Sequence, residues 1–186
     1  MKTWKTVSQK EILHHSKFLS VESHVVELPD GQIISNWPWI ITPDFVNVLA
    51  ETRDNTFLCF RQTKYGIDGY SLAPVGGYIE PTETPLAAAK RELLEETGYK
   101  ATDWIELGRY RLDPNRGVAV GYLYLARNAI YSTESDSDDL EEQELLTLSL
   151  NDLEAAISNQ EFKVMAWNLN AALALMYIKQ EEKEKK

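Results

Sequence analysis

The sequence predicts an α/β or α+β fold in which strands and helices pack in layers around one core. Runs of β-branched and aromatic residues, bounded by Pro, Gly, Asn or Asp, recur along the 186-residue chain and are typical of strands. Four other segments have helical spacing or helix-capping residues. Strands mixed with helices in a chain of this length favour one layered domain, with at most a small appendage.

We expect the first third of the chain to form mostly strands. We expect a short helix at 7–16, followed by two strands that flank the turn Pro29-Asp30-Gly31. A second turn is expected at 52–55. The strands expected in this part are 18–28, 32–34, 40–41, 45–50 and 57–61. Residues 71–77 then lead into a glycine pair.

A central helix is predicted from Thr84 to Thr97. Thr84 is a suitable N-cap, and Pro85 stands at the first helical position, where its missing N–H costs nothing. Gly98 is expected to end the helix as its C-terminal cap.

The last third of the chain mixes strands and helices. Strands are expected at 104–111, 118–127 and 145–150. A short helix at 152–158 and a longer amphipathic helix at 162–178 follow. The charged tail, 179–186, is expected to fray.

Composition excludes some classes of function. The net charge of −10 disfavours binding to a long nucleic acid, but a divalent metal would still allow a small anionic ligand to bind. No apolar stretch has the length of a membrane span, and the N-terminus lacks the apolar run of a signal peptide. We therefore expect no membrane partner. Cys59 is the single cysteine, so we expect a protein of the reducing cytoplasm.

Three glutamates on the central helix are candidate metal ligands. Glu92, Glu95 and Glu96 are three and four residues apart and therefore share one helix face. Lys90 and Arg91 supply too little positive charge on that face, whereas a hard divalent cation would relieve the repulsion. The alternative interpretation is a solvated acidic surface.

The same helix also needs an apolar face. Leu86, Ala89 and Leu93 form a stripe that is expected to face the core.

The residues around the glutamates complete a specific pattern. After Gly77 come five residues, Glu83, seven residues, and then Arg91-Glu-Leu-Leu-Glu-Glu-Thr-Gly98-Tyr99. This stretch resembles the Nudix box, with a chance probability on the order of 10⁻⁸ per window for its seven fixed positions. The only departure is Tyr99, where the family has an aliphatic residue. In the family, the residues matching Glu83 and Arg91 tie the loop to the helix.

The resemblance implies a fold, a cofactor and a reaction. The implied Nudix fold has a mixed β-sheet sandwiched between helices. Glu92, Glu95 and Glu96 correspond to the metal-binding carboxylates, joined by the Gly76 carbonyl, with Mg²⁺ as cofactor and Mn²⁺ as an alternative. Nudix enzymes hydrolyse a nucleoside diphosphate linked to another moiety, and their divalent ions lower the pKa of the attacking water.

Beyond the box, residues 37–153 resemble the ADP-ribose pyrophosphatases and related nucleotide-sugar hydrolases. Pro114 stands where that subgroup has a proline that marks its substrate class. The segment Ala73-Pro-Val-Gly-Gly77 departs from the subgroup pattern E-x-P-x-G: the acidic residue is missing and the proline comes one place early. This departure leaves the number of metal ions and the substrate preference open.

The resemblance also implies a catalytic base in the acidic stretch 134–144. In the subgroup, a glutamate on a loop after the later strands is the general base. Glu141 matches best, then Glu142, and Glu144 more weakly; for each, solvated surface is the alternative. Together with Glu95 on the helix, Glu141 and Glu142 make up the predicted catalytic set.

Substrate contacts and assembly are implied in the same way. Arg61 and Lys64 are expected to hold the terminal phosphate or ribose, although an ordinary charged strand end would look the same. Trp37 stands where the subgroup has an aromatic residue that stacks on the base, and Trp39 could exchange roles with it. Residues 1–41 resemble a small antiparallel dimerisation sheet, and 42–186 the Nudix domain with its C-terminal helix, which implies a homodimer.

Two functions remain open at this level. The first is hydrolysis, most simply of ADP-ribose to AMP and ribose 5-phosphate, with GDP-mannose, NADH, a dinucleoside polyphosphate or a nucleoside triphosphate as alternative substrates. The second is a non-catalytic Nudix domain that senses a nucleotide. The complete box favours the enzyme.

Overall fold

The computed structural model describes residues 1–135 and 142–185. Its strands are β1 Lys5–Ser16, β2 Leu19–Glu27, β3 Ile33–Ile41, β4 Phe45–Thr52, β5 Phe57–Gln62, β6 Ser71–Ala73, β7 Val75–Tyr78, β8 Tyr99–Lys100, β9 Asp103–Asp113, β10 Val118–Tyr131 and β11 Gln143–Leu148. Its helices are α1 Pro85–Thr97, α2 Leu150–Ser158 and α3 Met165–Glu184.

The chain forms two compact units. The first contains Met1–Asp44 and Tyr110–Gly121, and the second Phe45–Arg109 and Tyr122–Lys186. Strands β9 and β10 therefore run through both units. No helix among the described residues is long and apolar enough to cross a membrane.

The first unit contains a three-stranded antiparallel sheet in the order β1-β2-β3. The turn predicted between β2 and β3 is confirmed: Gly31, with φ of 90°, donates its N–H to Leu28 O at 2.9 Å. The helix predicted at 7–16 is wrong, because this segment is part of β1 and pairs with β2 from Lys5 opposite Glu27 to Ser16 opposite Leu19. Hydrogen bonding to β2 overrides the weak helical periodicity, and all of β1 before Ser16 is exposed.

The second unit is a mixed sheet between helices, as the sequence predicted. The strand order is β11-β5-β4-β10-β8, with β6 beside β5, β7 beside β4 and β9 beside β10. Strand β4 is buried on both faces. Val46 and Val48 pack in the same cluster as Leu93 of α1, whereas Leu49 packs with Ala171 of α3.

Helix α1 has the predicted caps. The Thr84 hydroxyl accepts from Ala87 N, and Gly98 takes a left-handed conformation while donating its N–H to Leu94 O. The predicted apolar stripe needs one correction, because Leu86 is 37% exposed and Ala88 is fully buried in its place. Leu86 lies in the first turn, whereas Ala88 lies one turn before Glu92.

The C-terminal elements differ from prediction at their ends. Strand β11 stops at Leu148 because Ser149 caps α2 through a capping box with Asp152. Helix α3 continues to Glu184 through most of the tail that was expected to fray. Arg127 bonds both Glu51 at 2.5 Å and Glu181 at 2.7 Å, which anchors these last turns to the sheet.

Candidate active site

Two glycines of β7 bring its backbone against the acidic helix. A Cβ on Gly77 would lie 2.2 Å from Glu92 Oε1, and one on Gly76 would lie 2.4 Å from Val46 O. Gly76 N lies 3.4 Å from Glu96 Oε2. The glycine pair is therefore required by close approach of atoms, and it places the Gly76–Gly77 backbone beside the carboxylates of Glu92 and Glu96.

The three glutamates of the box differ in exposure. Glu92 is buried at 9% exposure, Glu96 is half-buried, and Glu95 is exposed. A purely solvated acidic surface would leave all three carboxylates exposed. The structure instead places this helix face partly inside the second unit.

Arg91 joins this face to the preceding loop. Its Nε and Nη2 donate to Glu83 Oε1 and Oε2, both at 3.0 Å, and Nη2 also donates to Tyr78 O at 3.1 Å. Its Nη1 donates to Glu92 at 2.8 Å and to Glu95 at 2.9 Å. Arg91 therefore contacts the acidic face directly, but its one positive charge is shared among three carboxylates and leaves the face negative.

The ion pair shifts the acidity of both partners. The hydrogen bond from Arg91 lowers the pKa of Glu83 below its ordinary value. The same bond is the main cause that raises the pKa of the Arg91 guanidinium. Both groups are therefore charged at neutral pH, and the loop from Gly77 to Thr84 is fixed to α1 electrostatically.

The donor atoms of this face suit a hard divalent cation. Three carboxylates, from Glu83, Glu92 and Glu95, contact one guanidinium. The Glu96 carboxylate lies beside Gly76 N, and carboxylate and carbonyl oxygens are the ligands that Mg²⁺ prefers. Within 1–135 and 142–185, no three His, Cys, Asp or Glu side chains are already arranged as a metal cluster. The geometry explains this: Arg91 Nη1 bonds Glu92 and Glu95 directly. A cation would therefore share these carboxylates with Arg91.

The acidic stretch meets Arg61 at β11. Glu144 of β11 is opposite Arg61 of β5, and Arg61 Nη1 lies 3.6 Å from Glu144 Oε2. Glu142 is exposed and directly precedes β11, whereas Glu141 lies outside the described residues. Lys64 follows β5 in the next loop, where its carbonyl accepts from Ile67 N. The structure thus brings Arg61 to the end of the predicted base segment.

The first unit contains an aromatic cavity of about 300 Å³ that includes both of the other predicted substrate contacts, Trp37 and Pro114. Trp37 donates its indole N–H to Asn115 O at 2.6 Å, and its ring meets Trp4 edge-on with centroids 5.2 Å apart. The sequence did not predict that Trp4 lines this cavity, because a lone aromatic residue near a terminus is compatible with many roles.

Pro114 lies in a tight turn between β9 and β10. Asp113 Oδ1 accepts from Asn115 N at 2.9 Å and from Arg116 N at 3.1 Å. The Arg116 side chain also donates to Asp113 and lowers the pKa of its carboxyl group. The turn carries Pro114 and Asn115 to the wall of the aromatic cavity, so a turn role and a substrate role are compatible.

A stacked pair forms another wall of the cavity. The rings of His24 and Trp39 are 5.2 Å apart and 17° from parallel. A Cβ on Gly117 would lie 2.1 Å from Trp39 Cζ2, so Trp39 is held tightly on that side as well. Trp39 is therefore packed against His24 and Gly117, and Trp37 is anchored by its N–H; both side chains are half-buried and line the cavity.

Comparisons with known proteins agree on one family. A family model described as the NUDIX domain matches residues 42–167, about two thirds of the chain. An ADP-ribose pyrophosphatase of Bacillus subtilis (strain 168) is 25% identical over 179 residues, which cover 96% of this chain and 94% of that protein. A methanol dehydrogenase activator of Bacillus methanolicus is 26% identical over 178 residues, with the same coverage of both chains. A solved structure named as an ADP compounds hydrolase matches with a TM-score of 0.81 at 19% identity, over 97% of each chain.

Proposed function

Because this chain belongs to the Nudix family and is a pyrophosphohydrolase, we propose that it hydrolyses ADP-ribose to AMP and ribose 5-phosphate with Mg²⁺ as cofactor. The observation that supports this best is the face of α1, where the Glu92 and Glu95 carboxylates contact Arg91 and Glu96 approaches Gly76 N. Two relatives are named for hydrolysis of ADP-ribose or ADP compounds. The substrate choice rests on these names and on Pro114.

The metal ligands we propose are Glu92, Glu95, Glu96 and the Gly76 carbonyl. These residues would hold a Mg²⁺ ion, which would supply positive charge to the diphosphate and lower the pKa of a bound water molecule. Arg91 holds the carboxylates of Glu92 and Glu95 in place, and the Glu83 pair holds Arg91. The role of the chain is therefore mainly to position charges for the reaction.

For the general base we propose a glutamate of the acidic stretch, Glu141 first and Glu142 second. The position of Glu142 supports a base in this stretch, because Glu142 is exposed just before β11 and two residues from Glu144, which pairs with Arg61. A base must reach the attacking water directly or through one further water molecule. Arg61 and Lys64 would hold the terminal phosphate or ribose at the same end of β5.

The base of the nucleotide is assigned to the aromatic cavity of the first unit. Trp37 offers a ring anchored through Asn115, and Pro114 lines the same cavity. Base–aromatic stacking contributes about 1–3 kcal/mol per base. An adenine in this cavity would give Trp37 and Pro114 the substrate-binding roles that the sequence predicts.

The assembly and location are proposed on separate grounds. The sheet of the first unit exposes Val7, Ile12, Leu13, Phe18 and Ile33 at 46% to 61%. We propose a homodimer formed through that sheet, in which some of these exposed apolar side chains would be buried. The single buried cysteine suits the reducing cytoplasm, and the acidic charge fits a small nucleotide partner rather than nucleic acid.

The deciding experiment is a hydrolysis screen of the purified protein with Mg²⁺, Mn²⁺ or EDTA. The substrates are ADP-ribose, GDP-mannose, NADH, a diadenosine polyphosphate and ATP. We expect metal-dependent release of AMP, chiefly from ADP-ribose. Preferred turnover of another diphosphate would contradict the substrate assignment alone. Tight nucleotide binding without turnover of any substrate would contradict the catalytic assignment and favour a sensor.

A further inference from the structure

We propose that His24 selects adenine over 6-oxopurines in the aromatic cavity. This inference rests on the proposed function, because it assumes that the cavity holds the base of the substrate. The cavity is walled by Trp4, Trp37, Trp39 and His24. Its volume of about 300 Å³ is at the lower end of small-molecule pockets, so it suits a single heterocycle rather than a whole dinucleotide.

The His24 ring is held in one orientation from two directions. Its Nε2 lies 2.7 Å from the Glu22 carboxylate, and its face stacks on Trp39. The side chain is 8% exposed and that of Glu22 is 17% exposed, so this pair is largely shielded from water. A buried histidine that is fixed in this way can read the polarity of a ligand, because the ring cannot turn to offer its other nitrogen.

The partner of Nε2 determines what Nδ1 can do. An ionised carboxylate only accepts hydrogen bonds, so Glu22 requires the proton to be on Nε2. In the neutral ring, Nδ1 is then an acceptor. Nδ1 makes no hydrogen bond to any residue in 1–135 or 142–185, and His24 lines the cavity.

An acceptor in this position distinguishes the two kinds of purine. Adenine presents a donor amino group at its six-position, whereas guanine and hypoxanthine present an acceptor oxygen there. Nδ1 would accept from the amino group of adenine and would face the oxygen of a 6-oxopurine with two lone pairs opposed. The loss of a hydrogen bond with unpaired polar groups left behind corresponds to about tenfold or more in affinity.

The test uses two substrates that differ only at this position of the base: ADP-ribose and inosine diphosphate ribose. Their kcat/KM values are compared in the same buffer at the same pH. In parallel, AMP and IMP are titrated against tryptophan fluorescence, which needs no hydrolysis. We expect the native protein to prefer the adenine compound about tenfold or more in both assays.

Three variants distinguish a role of His24 in base selection, called its reading role below, from a purely structural role. His24→Ala should lose the preference, mainly through weaker binding of the adenine compound. His24→Gln keeps an acceptor and should retain part of it. Glu22→Gln should shrink the preference, because an amide can donate to Nε2 and so allow the proton to move to Nδ1. His14→Ala is the matched control: this imidazole bonds Ser20 on the same sheet but does not line the cavity.

The outcomes for the inference and for the proposed function are distinguishable. ADP-ribose hydrolysis with a preference that His24→Ala and Glu22→Gln leave unchanged would overturn the inference and leave the function standing. Absence of hydrolysis, with an AMP preference that depends on His24, would overturn the function and support the reading role. Failure of both AMP and IMP to change the fluorescence would overturn the inference, because no base would then enter the cavity.

Discussion

The guanidinium of Arg91 donates to the carboxylate of Glu95, with 2.9 Å between Nη1 and Oε2. The two residues are one helical turn apart, and the same Nη1 reaches Glu92 at 2.8 Å. Two of the three glutamates proposed as metal ligands are therefore held by an internal cation. Metal binding at this face should consequently depend on Arg91 as well as on the carboxylates themselves.

The first prediction concerns Arg91→Lys. A lysine keeps the charge but cannot donate to Glu83 at two points while also reaching Tyr78 O and the helix glutamates. We expect a loss of about 1–3 kcal/mol in the free energy of unfolding and weaker activation by Mg²⁺. Urea unfolding and a Mg²⁺ titration of activity measure the two effects. Lys90→Gln is the control, since Lys90 is an exposed neighbour on the same helix, and equal stability of both variants would contradict the prediction.

The second prediction is that Glu96→Gln leaves the fold intact and reduces turnover. An amide is a poor ligand for a hard divalent cation compared with a carboxylate. We expect kcat to fall by about 100-fold or more, with a change in unfolding free energy within about 1 kcal/mol. Glu80→Gln, an exposed change in the loop before the same helix, should keep full activity. Full activity of Glu96→Gln would remove Glu96 from the metal site.

The sequence determines the central helix and its loop most completely. Thr84, Pro85 and Gly98 each act through local backbone chemistry, so their roles were readable without tertiary structure. The glycine pair and the Glu83–Arg91 pair followed from the box pattern. The contacts of Arg91 with Glu92 and Glu95 were missed. The spacing of Arg91 and Glu95 by one helical turn was a usable signal, whereas adjacent positions such as Arg91 and Glu92 do not face each other on a helix.

The N-terminal sheet was less predictable, for a physical reason. Strand β1 is almost entirely exposed, so its apolar residues carry no period imposed by burial. Its identity as a strand depends on pairing with β2. Likewise, the role of His24 depends on Glu22, Trp39 and the cavity, and a single histidine in a strand gives no local sign of such an arrangement.

The third prediction tests how the aromatic cavity is built, through Gly117→Ala. Gly117 has φ of 70°, and an added Cβ would lie 2.1 Å from Trp39 Cζ2. Gly31→Ala is a matched control, since Gly31 has φ of 90° but open space around it. We expect a backbone cost of about 1 kcal/mol in both variants and a further 1–3 kcal/mol, roughly, only at Gly117. Urea unfolding measures both, and equal costs would show that Trp39 moves aside freely.

The fourth prediction concerns the proposed homodimer. Ile12 is 61% exposed on β1, and a buried glutamate at the centre of an apolar interface is strongly unfavourable. We expect the native protein to sediment as a dimer and Ile12→Glu as a monomer with native secondary structure. Met176→Glu is the control, because Met176 is 67% exposed on α3 of the second unit. A dimer that survives Ile12→Glu would place the interface elsewhere.

The fifth prediction uses Cys59 as a probe of alkaline stability. Burial raises the pKa of this thiol from 9.0 to about 12, so it stays protonated in the folded state when the unfolded chain has already lost the proton. The contribution of the buried thiol to the free energy of unfolding is fully present below about pH 9 and declines as the pH rises towards about 12. Between about pH 8 and pH 10.5, the native protein should lose about 1–2 kcal/mol more unfolding free energy than Cys59→Ala does.

The alanine variant itself loses some packing, but that cost does not depend on pH. Urea unfolding of both proteins at the two pH values isolates the contribution of the thiol, because every other titratable group is present in both proteins. In agreement with this, a thiol reagent at about pH 8 should label the native protein only at the rate of global or local opening. Parallel pH curves together with fast labelling would mean that Cys59 reaches solvent, and the packing of β5 between its neighbouring layers would then be looser than its full burial implies.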